Sequence, residues 1–202
     1  MKSRYFYSLV LLTLLSPAGN ASTLLTFDDI PNADNTELFD GYAGFNWDQF
    51  YAKQTSLSPN SGYANGTVSS PNVAFNWFAN PATISSATPF DLTSGYFTAA
   101  WNDGLTVVAI GYLAGNQVAA QTFVIDTSGP TLEVLNFLGV DSVTFTSSGG
   151  VHNPNFTGEG THFALDNLLI NGSAVPEPST FFMSGIAVIA GLGAYARRRR
   201  IA

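Results

Sequence analysis

Short runs of strand-forming residues, separated by turn residues, fill residues 22–173, and no part of this segment shows a sustained helical period. Runs that are rich in valine, threonine and aromatic residues and bounded by glycine, proline or asparagine are typical of β-strands. The predicted strands are residues 23–27, 41–47, 72–78, 95–101, 105–113, 117–125, 132–137, 142–146 and 162–170. So many short strands predict an all-β fold, an antiparallel jelly-roll-like β-sandwich.

Turn residues between these runs predict how neighbouring strands connect. Residues 114–116, Ala-Gly-Asn, predict a hairpin with a three-residue loop. Residues 102–104, Asn-Asp-Gly, predict a turn that ends the strand before them, and residues 138–141 predict a connection between two separate strands.

The charge of this segment restricts its partners. Residues 22–173 hold thirteen acidic residues and one basic residue, Lys53, which gives a net charge of about −12. Such a balance disfavours nucleic acid and anionic membrane surfaces and is compatible with divalent cations and neutral polysaccharides. The chain has no cysteine, so the core depends on packing, with a metal ion as the one further support available.

The N-terminus has the features of a secretory signal peptide over residues 1–21. Lys2 and Arg4 precede an apolar run at residues 5–15, and the small residues Gly19 and Ala21 suit cleavage by signal peptidase after Ala21. The alternative is an uncleaved anchor, but a run of about 11 residues is too short for a bilayer core of ~30 Å.

The C-terminus, residues 174–202, has three parts in a fixed order. A Pro-Glu-Pro segment is followed by an uncharged apolar run at residues 181–196 and then by four arginines. The run spans ~24 Å as a helix, so snorkelling arginines and a thinned bilayer would let it cross the membrane. The basic tail, residues 197–200, would hold that end in the cytoplasm and leave the bulk of the chain outside. The alternative is a plain tail anchor with a proline-containing stem.

This three-part end resembles the PEP-CTERM sorting signal, which is also catalogued as an ice-binding protein C-terminal domain. The resemblance implies cleavage near the motif by a membrane-embedded exosortase in a Gram-negative bacterium that makes exopolysaccharide and grows in biofilms. It implies an inner-membrane-tethered precursor that passes to the cell surface or extracellular matrix. The implied recognition residues are Pro176, Glu177 and Pro178, and the implied retention residues are Arg197, Arg198, Arg199 and Arg200. The tail's label is no evidence of ice binding.

The domain between the two signals also carries a resemblance. Residues 26–29, 98–105, 137–141 and 163–168 look like the globular part of many PEP-CTERM proteins of uncharacterised function. The two ends of the domain are similar to jelly-roll carbohydrate-binding modules of the galactose-binding-like type.

Three aspartates form the predicted metal site: Asp28, Asp29 and Asp166, next to Asn167. In jelly rolls the first and last strands often lie together, which would bring these carboxylates close enough to bind a structural Ca²⁺. Without a cation, three carboxylates in a small space would repel one another. The alternative is that Asp28 and Asp29 form a turn and Asp166 accepts hydrogen bonds from backbone donors.

Aromatic residues offer a second candidate site. Trp47, Tyr51 and Trp77 are the predicted ligand-binding residues, because exposed aromatic faces stack on sugars. The alternative is that such residues belong to the core. Strand alternation predicts that Phe97 and Trp101 share the core-facing side of their strand.

Catalytic machinery is thin, and we expect no enzyme activity. The chain has two histidines, His152 and His162, and no Gly-x-Ser-x-Gly, His-x-x-x-His or cysteine nucleophile. Glu37, Glu133 and Glu159 would have to pair to act as a glycosidase.

The leading expectation is a non-enzymatic surface or matrix protein that associates with exopolysaccharide. A carbohydrate-binding module with a structural calcium is the alternative, and a small glycan hydrolase is third. Exposed aromatics around a groove would favour the module.

Overall fold

The computed structural model describes residues 22–171. The predicted signal peptide at residues 1–21, the Pro-Glu-Pro segment, the apolar run at 181–196 and the basic tail at 197–200 lie outside these residues. Among the residues described, no helix has the length and apolar character needed to cross a membrane.

Residues 22–171 form ten strands, one short α-helix, α1 (Gly62–Asn65), and three single-turn 3-10 helices at Tyr42–Gly44, Thr55–Leu57 and Trp77–Ala79. The strands are β1 (Ser22–Leu25), β2 (Asp34–Glu37), β3 (Asn46–Asp48), β4 (Phe50–Gln54), β5 (Asn72–Asn76), β6 (Ala82–Ala99), β7 (Asn102–Leu113), β8 (Asn116–Ile125), β9 (Thr131–His152) and β10 (Phe163–Asn171). All of them join one antiparallel sheet in the order β2-β4-β5-β10-β6-β9-β7-β8, with β1 paired to β10 and β3 paired to β6. The predicted all-β, antiparallel class is therefore confirmed.

Two long strands, β6 and β9, pass through both halves of this sheet. The first part of β6, around Ile84, pairs with β3 and with the later part of β9, whereas its second part pairs with β10 and the start of β9. Register shifts separate the two parts between Ser85 and Phe90. Such shifts bend a strand, so β6 and β9 turn from one half of the sheet into the other.

The two halves fold over one another to enclose the core. Phe50 on β4 and Phe145 on β9 lie four strands apart in the sheet, about 19 Å in a flat sheet, yet their ring centroids are 6.1 Å apart. Phe97 on β6 also packs at 5.0 Å from Phe123 on β8. The main core is the fully buried set of inward-facing residues between the halves, which includes Phe27, Ile84, Leu92, Leu105 and Leu165.

Several predicted boundaries were wrong for one physical reason, the use of turn residues inside strands. Residues 132–137 and 142–146 belong to the single strand β9, in which Asn136 and Gly139 adopt positive φ and bend the chain without ending it. Residues 102–104 begin β7 and form no turn. The predicted hairpin is confirmed, but its loop has two residues, Ala114 and Gly115, both with positive φ.

A second apolar cluster lies on the outer face of the half that contains β4, β5 and β10. All five residues of β5 are buried, because inward Ala74 joins the main core while outward Val73 and Phe75 join the second cluster. The segment between β4 and β5, which includes α1, supplies Tyr63 to this outer cluster. This half of the sheet is therefore covered on both faces.

Candidate functional site

A cleft of about 280 Å³ opens at the edge of the outer apolar cluster. Alternation along β4 turns Tyr51 and Lys53 to the outer face while Phe50 and Ala52 face the core. The cleft is lined by Asn35, Lys53, Ser58, Tyr63, Phe75, Trp77, Phe78, Trp101, Glu159 and His162. It therefore combines an aromatic floor with a small number of polar and charged groups, which is the usual composition of a ligand site.

Trp77 packs against two aromatic neighbours. Tyr51 stacks on it with a centroid distance of 4.4 Å and an interplanar angle of 16°, and Phe78 meets it at 4.5 Å and 62°. Phe78 is 71% exposed and has φ 50°, and Ala79 has φ 57°. Positive φ is costly for a bulky residue and tends to occur at functional positions. The turn therefore holds Phe78 in a strained backbone conformation in which its aromatic side chain is exposed to solvent.

Trp101 forms the opposite wall and is fixed by its surroundings. Its ring meets Tyr63 edge-on at 5.4 Å, and Gly158 lies so close that a Cβ there would be 2.4 Å from the indole. Burial raises the pKa of the Tyr63 hydroxyl, although its hydrogen bond with Trp101 opposes this. Sequence alternation placed Trp101 on the core side with Phe97; instead β6 ends at Ala99, and Trp101 packs on the outer cluster.

The charged groups of the cleft are one cation and one anion, and a half-buried histidine also lines it. The Lys53 ammonium donates to Asn35 Oδ1 at 3.0 Å and lies 5.8 Å from the Tyr63 ring centroid. Glu159 is exposed. His162 Nδ1 is buried and has no hydrogen-bond partner in the described part of the chain. Burial lowers the pKa of His162, and the backbone carbonyl of Glu159 partly offsets this.

The predicted ligand-binding residues therefore divide. Trp77 lines the cleft and Tyr51 stacks on it, whereas Trp47 is 5% exposed in the main core, edge-on to Phe50 at 5.3 Å. Its indole N–H donates to the Tyr42 carbonyl oxygen at 3.0 Å. This corrects the prediction for Trp47, because a buried ring offers no face to a ligand. Phe78, Tyr63 and Lys53 were missed, although the spacing of Lys53 from Tyr51 already put both on one face.

The predicted metal ligands are held separately by protein donors. Asp28 Oδ1 accepts from the Asn72 backbone N–H at 2.9 Å, and Asp29 Oδ1 accepts from the Tyr42 hydroxyl at 2.7 Å. Burial, followed by this hydrogen bond, raises the pKa of Tyr42. Within residues 22–171, no group of three or more histidine or acidic side chains is placed to hold a metal ion. The structure does not bring the three aspartates together, and the calcium ion stays a prediction.

Asp166 is fully buried and anchors the loop before β5. Its Oδ2 accepts from the N–H groups of Val68 at 2.7 Å and Ser69 at 2.8 Å. Its Oδ1 accepts from the Asn167 N–H at 2.7 Å and the Ser69 hydroxyl at 3.2 Å. Burial raises the pKa of Asp166 against these four hydrogen bonds, which lower it. Asp28 holds the same loop at Asn72, so both acids fasten one segment.

The other aspartates show the same use of carboxylates. In residues 22–171, seven aspartates accept hydrogen bonds from backbone N–H groups of loops or strands: Asp28, Asp40, Asp91, Asp103, Asp126, Asp141 and Asp166. Charge-assisted bonds of this kind are stronger than neutral ones. About half of the acidic residues thus bind backbone donors of the fold.

The three glutamates considered for catalysis lie on different elements. Glu159 lines the cleft, Glu37 on β2 pairs across the sheet with Tyr51, and Glu133 on β9 accepts from Gln121 Nε2 at 3.4 Å. Burial, followed by the Glu37 carboxylate, raises the pKa of Tyr51.

Comparison with solved structures supports the fold. A DUF4465 family protein from Bacteroides caccae ATCC 43185 superposes with a TM-score of 0.51 at 14% identity, over 75% of this chain and 99% of that chain. A DUF4465 family protein from Bacteroides ovatus ATCC 8483 gives a TM-score of 0.44 at 11% identity, over 74% and 93%. TmCBM61 in complex with β-1,4-galactotriose gives 0.36 at 7% identity, over 66% and 94%. The first likeness shows a shared fold; the lower scores of the other two add nothing to it.

Comparison of sequences identifies the C-terminal end. No curated protein matches the chain. The family model of the PEP-CTERM protein-sorting motif matches residues 174–200, the segment in which the sequence predicted this motif. The chain therefore carries a PEP-CTERM sorting motif, which indicates an exported protein that an exosortase processes in a Gram-negative bacterium.

Proposed function

We propose that this chain is a non-catalytic glycan-binding protein of the cell surface or extracellular matrix, and that its ligand-binding site is the aromatic cleft. In this proposal residues 22–173 form a jelly-roll-like β-sandwich, and the precursor is tethered to the inner membrane by a helix at 181–196 until an exosortase acts near Pro176–Pro178. The matrix polysaccharide is the partner. The observation that carries the proposal is the pair of aromatic side chains that line the cleft, Trp77 and Phe78, with Tyr51 stacked on Trp77.

Sugar rings present C–H faces that pack on aromatic faces, and hydroxyls that need polar partners. Trp77 and Phe78 supply the aromatic surface, and Lys53, Asn35 and Glu159 supply donors and acceptors at the rim. Tyr51 stacks on Trp77 before any ligand arrives, so little side-chain entropy is lost on binding. The net charge of about −12 disfavours nucleic acid as the ligand.

A pull-down with neutral and acidic polysaccharides tests this proposal. The exported protein is compared with Trp77→Ala and with Phe39→Ala, which removes a 64% exposed aromatic that lies outside the cleft. We expect Trp77→Ala to weaken binding by about 30-fold or more, as for a buried interface anchor, and Phe39→Ala to bind like the wild type. Runs with and without Ca²⁺ report any cation requirement. Binding to no polysaccharide in either condition would overturn the proposal.

The sorting part of the proposal has its own test. Changing Pro176 and Pro178 to alanine removes the rigid, extended segment that an exosortase would recognise, so we expect the precursor mass to persist in the membrane fraction. Pro130→Ala, in the turn before β9, serves as the control and should mature normally. Normal maturation of the double variant would contradict exosortase recognition at this motif.

A further inference from the structure

One region of the sheet's outer surface carries no charged side chain and is bordered by Asp48 of β3, which lies opposite Thr83. It is formed by the first part of β6, the later part of β9, β7 and β8, whose registers place their outward positions side by side. Those positions are Thr83, Ser85, Thr106, Val108, Ile110, Tyr112, Val118, Ala120, Thr122, Val124, Ser142, Thr144, Thr146 and Ser148. Soluble domains usually have charges spread over every face, and this one has thirteen acids elsewhere.

Strand β8 forms the edge of this face. It ends the strand order and pairs only with β7 among the residues described. Its ten residues include no charged residue, proline or glycine, and its ladder with β7 is regular from Ala119 to Ile125 after a register shift near Gly111. Val124 is 59% exposed. Edge strands are usually protected by charges, prolines or bulges, and an unprotected one pairs readily with another strand.

We infer that β8 is a self-association site, at which the edge of one molecule pairs antiparallel with β8 of a second copy. Two copies each carry about −12 net charge, so an interface between them must avoid bringing acidic side chains together. β8 contains no charged residue, and the Glu133 carboxylate that contacts it accepts a hydrogen bond from Gln121.

The sequence of β8 is also self-complementary about a two-fold axis. If the axis passes through Thr122, the regular segment 119–125 pairs with itself over its full length. On the outward face Thr122 then lies opposite its own copy, and Ala120 lies opposite Val124. Cross-strand threonine pairs and aliphatic pairs stabilise antiparallel strands, and no like charges meet in this register.

Cysteine cross-linking in intact cells tests this inference on the full chain. The protein has no cysteine, so any disulfide must come from an introduced residue. Ala120→Cys, Thr122→Cys and Val124→Cys are made singly, with Val151→Cys as a control at a 76% exposed site on β9. Only a residue on the two-fold axis meets its own copy, so we expect a disulfide-linked dimer to predominate at Thr122→Cys.

The outcomes separate clearly. A dimer that peaks at one of the three β8 positions supports antiparallel edge pairing. Equal cross-linking at all three would indicate parallel or random contact, and cross-linking no stronger than at Val151→Cys would indicate no contact; either result overturns the inference. A second variant, Thr122→Lys, adds a charge to the edge. Size-exclusion chromatography with light scattering measures the oligomeric state. We expect Thr122→Lys to be monomeric at concentrations where the wild type and Val151→Lys dimerise. A wild type that stays monomeric would also overturn the inference.

Discussion

Replacement of Asp166 tests whether the buried carboxylate stabilises the loop before β5. Asp166 accepts four hydrogen bonds, three of them from the backbone N–H groups of Val68, Ser69 and Asn167. Asp166→Asn keeps one acceptor oxygen and turns the other into a donor. The least harmful orientation keeps the two bonds at Oδ2 and leaves the Asn167 N–H without an acceptor, since the Ser69 hydroxyl can reverse its role.

The expected loss follows from counting acceptors. One buried donor without a partner costs about 1–3 kcal/mol, and removing the ionised group recovers part of its desolvation cost, so we expect Asp166→Asn to lower the free energy of unfolding by about 1–2 kcal/mol. Asp166→Ala removes every acceptor and should cost about 3–5 kcal/mol.

Urea denaturation followed by circular dichroism measures both values. Asp126→Asn and Asp126→Ala are matched controls, because the exposed Asp126 accepts one backbone hydrogen bond, from the Gly104 N–H at 2.7 Å; they should cost less than about 1 kcal/mol. Equal losses at the two positions, or a loss below about 0.5 kcal/mol for Asp166→Ala, would refute the reasoning.

Three further predictions concern the cleft and the metal. Gly158→Ala should weaken glycan binding and shift tryptophan fluorescence, because its Cβ would displace Trp101; Gly129→Ala, with no atom nearer than 4.0 Å, should do neither. Since the pKa of His162 is lowered in the folded state, protonation favours the unfolded state, and stability falls as pH drops below about 6.5. Between pH 7.5 and 5.5 the melting temperature should therefore fall less for His162→Gln than for the wild type or His152→Gln. EDTA tests the calcium prediction, because loss of a saturated structural ion should lower the melting temperature by about 5 °C or more. An unchanged melting temperature would contradict the ion and would fit the protein donor that each predicted ligand has.

The pairing of the first and last strands could be predicted from the sequence, but the convergence of the three aspartates that was inferred from this pairing was wrong. Ser22 pairs with Asn171 and Leu25 with Leu168, as the expectation that the first and last strands meet requires. The aspartates do not converge because Asp166 points to the loop before β5, and β-strand pairing alone says nothing about which long-range donor a carboxylate will reach. The alternative, that Asp166 accepts from backbone donors, is what the structure has.

Only part of the cleft could be predicted from the sequence. The alternation of β4 puts Tyr51 on an outer face, and its stacking on Trp77 brings together two of the three predicted aromatics. Trp47 and Trp101 exchanged the roles that sequence gave them. For Trp101 the reason is that β6 ends at Ala99, two residues before the predicted end, so strand alternation no longer sets the side on which Trp101 packs. The residue count between β6 and β7 decides this, and periodicity cannot supply it.

The affinity of the exported protein for glycans, measured by calorimetry on Phe78→Ala and Phe39→Ala, tests the central claim most directly. Both variants remove an exposed phenylalanine that packs on an aromatic neighbour, but only Phe78 lines the cleft. We predict that Phe78→Ala weakens binding by about 5- to 30-fold, equivalent to about 1–2 kcal/mol, while Phe39→Ala leaves it unchanged. Equal affinities for the two variants, or a loss confined to Phe39→Ala, would contradict a glycan site in the cleft.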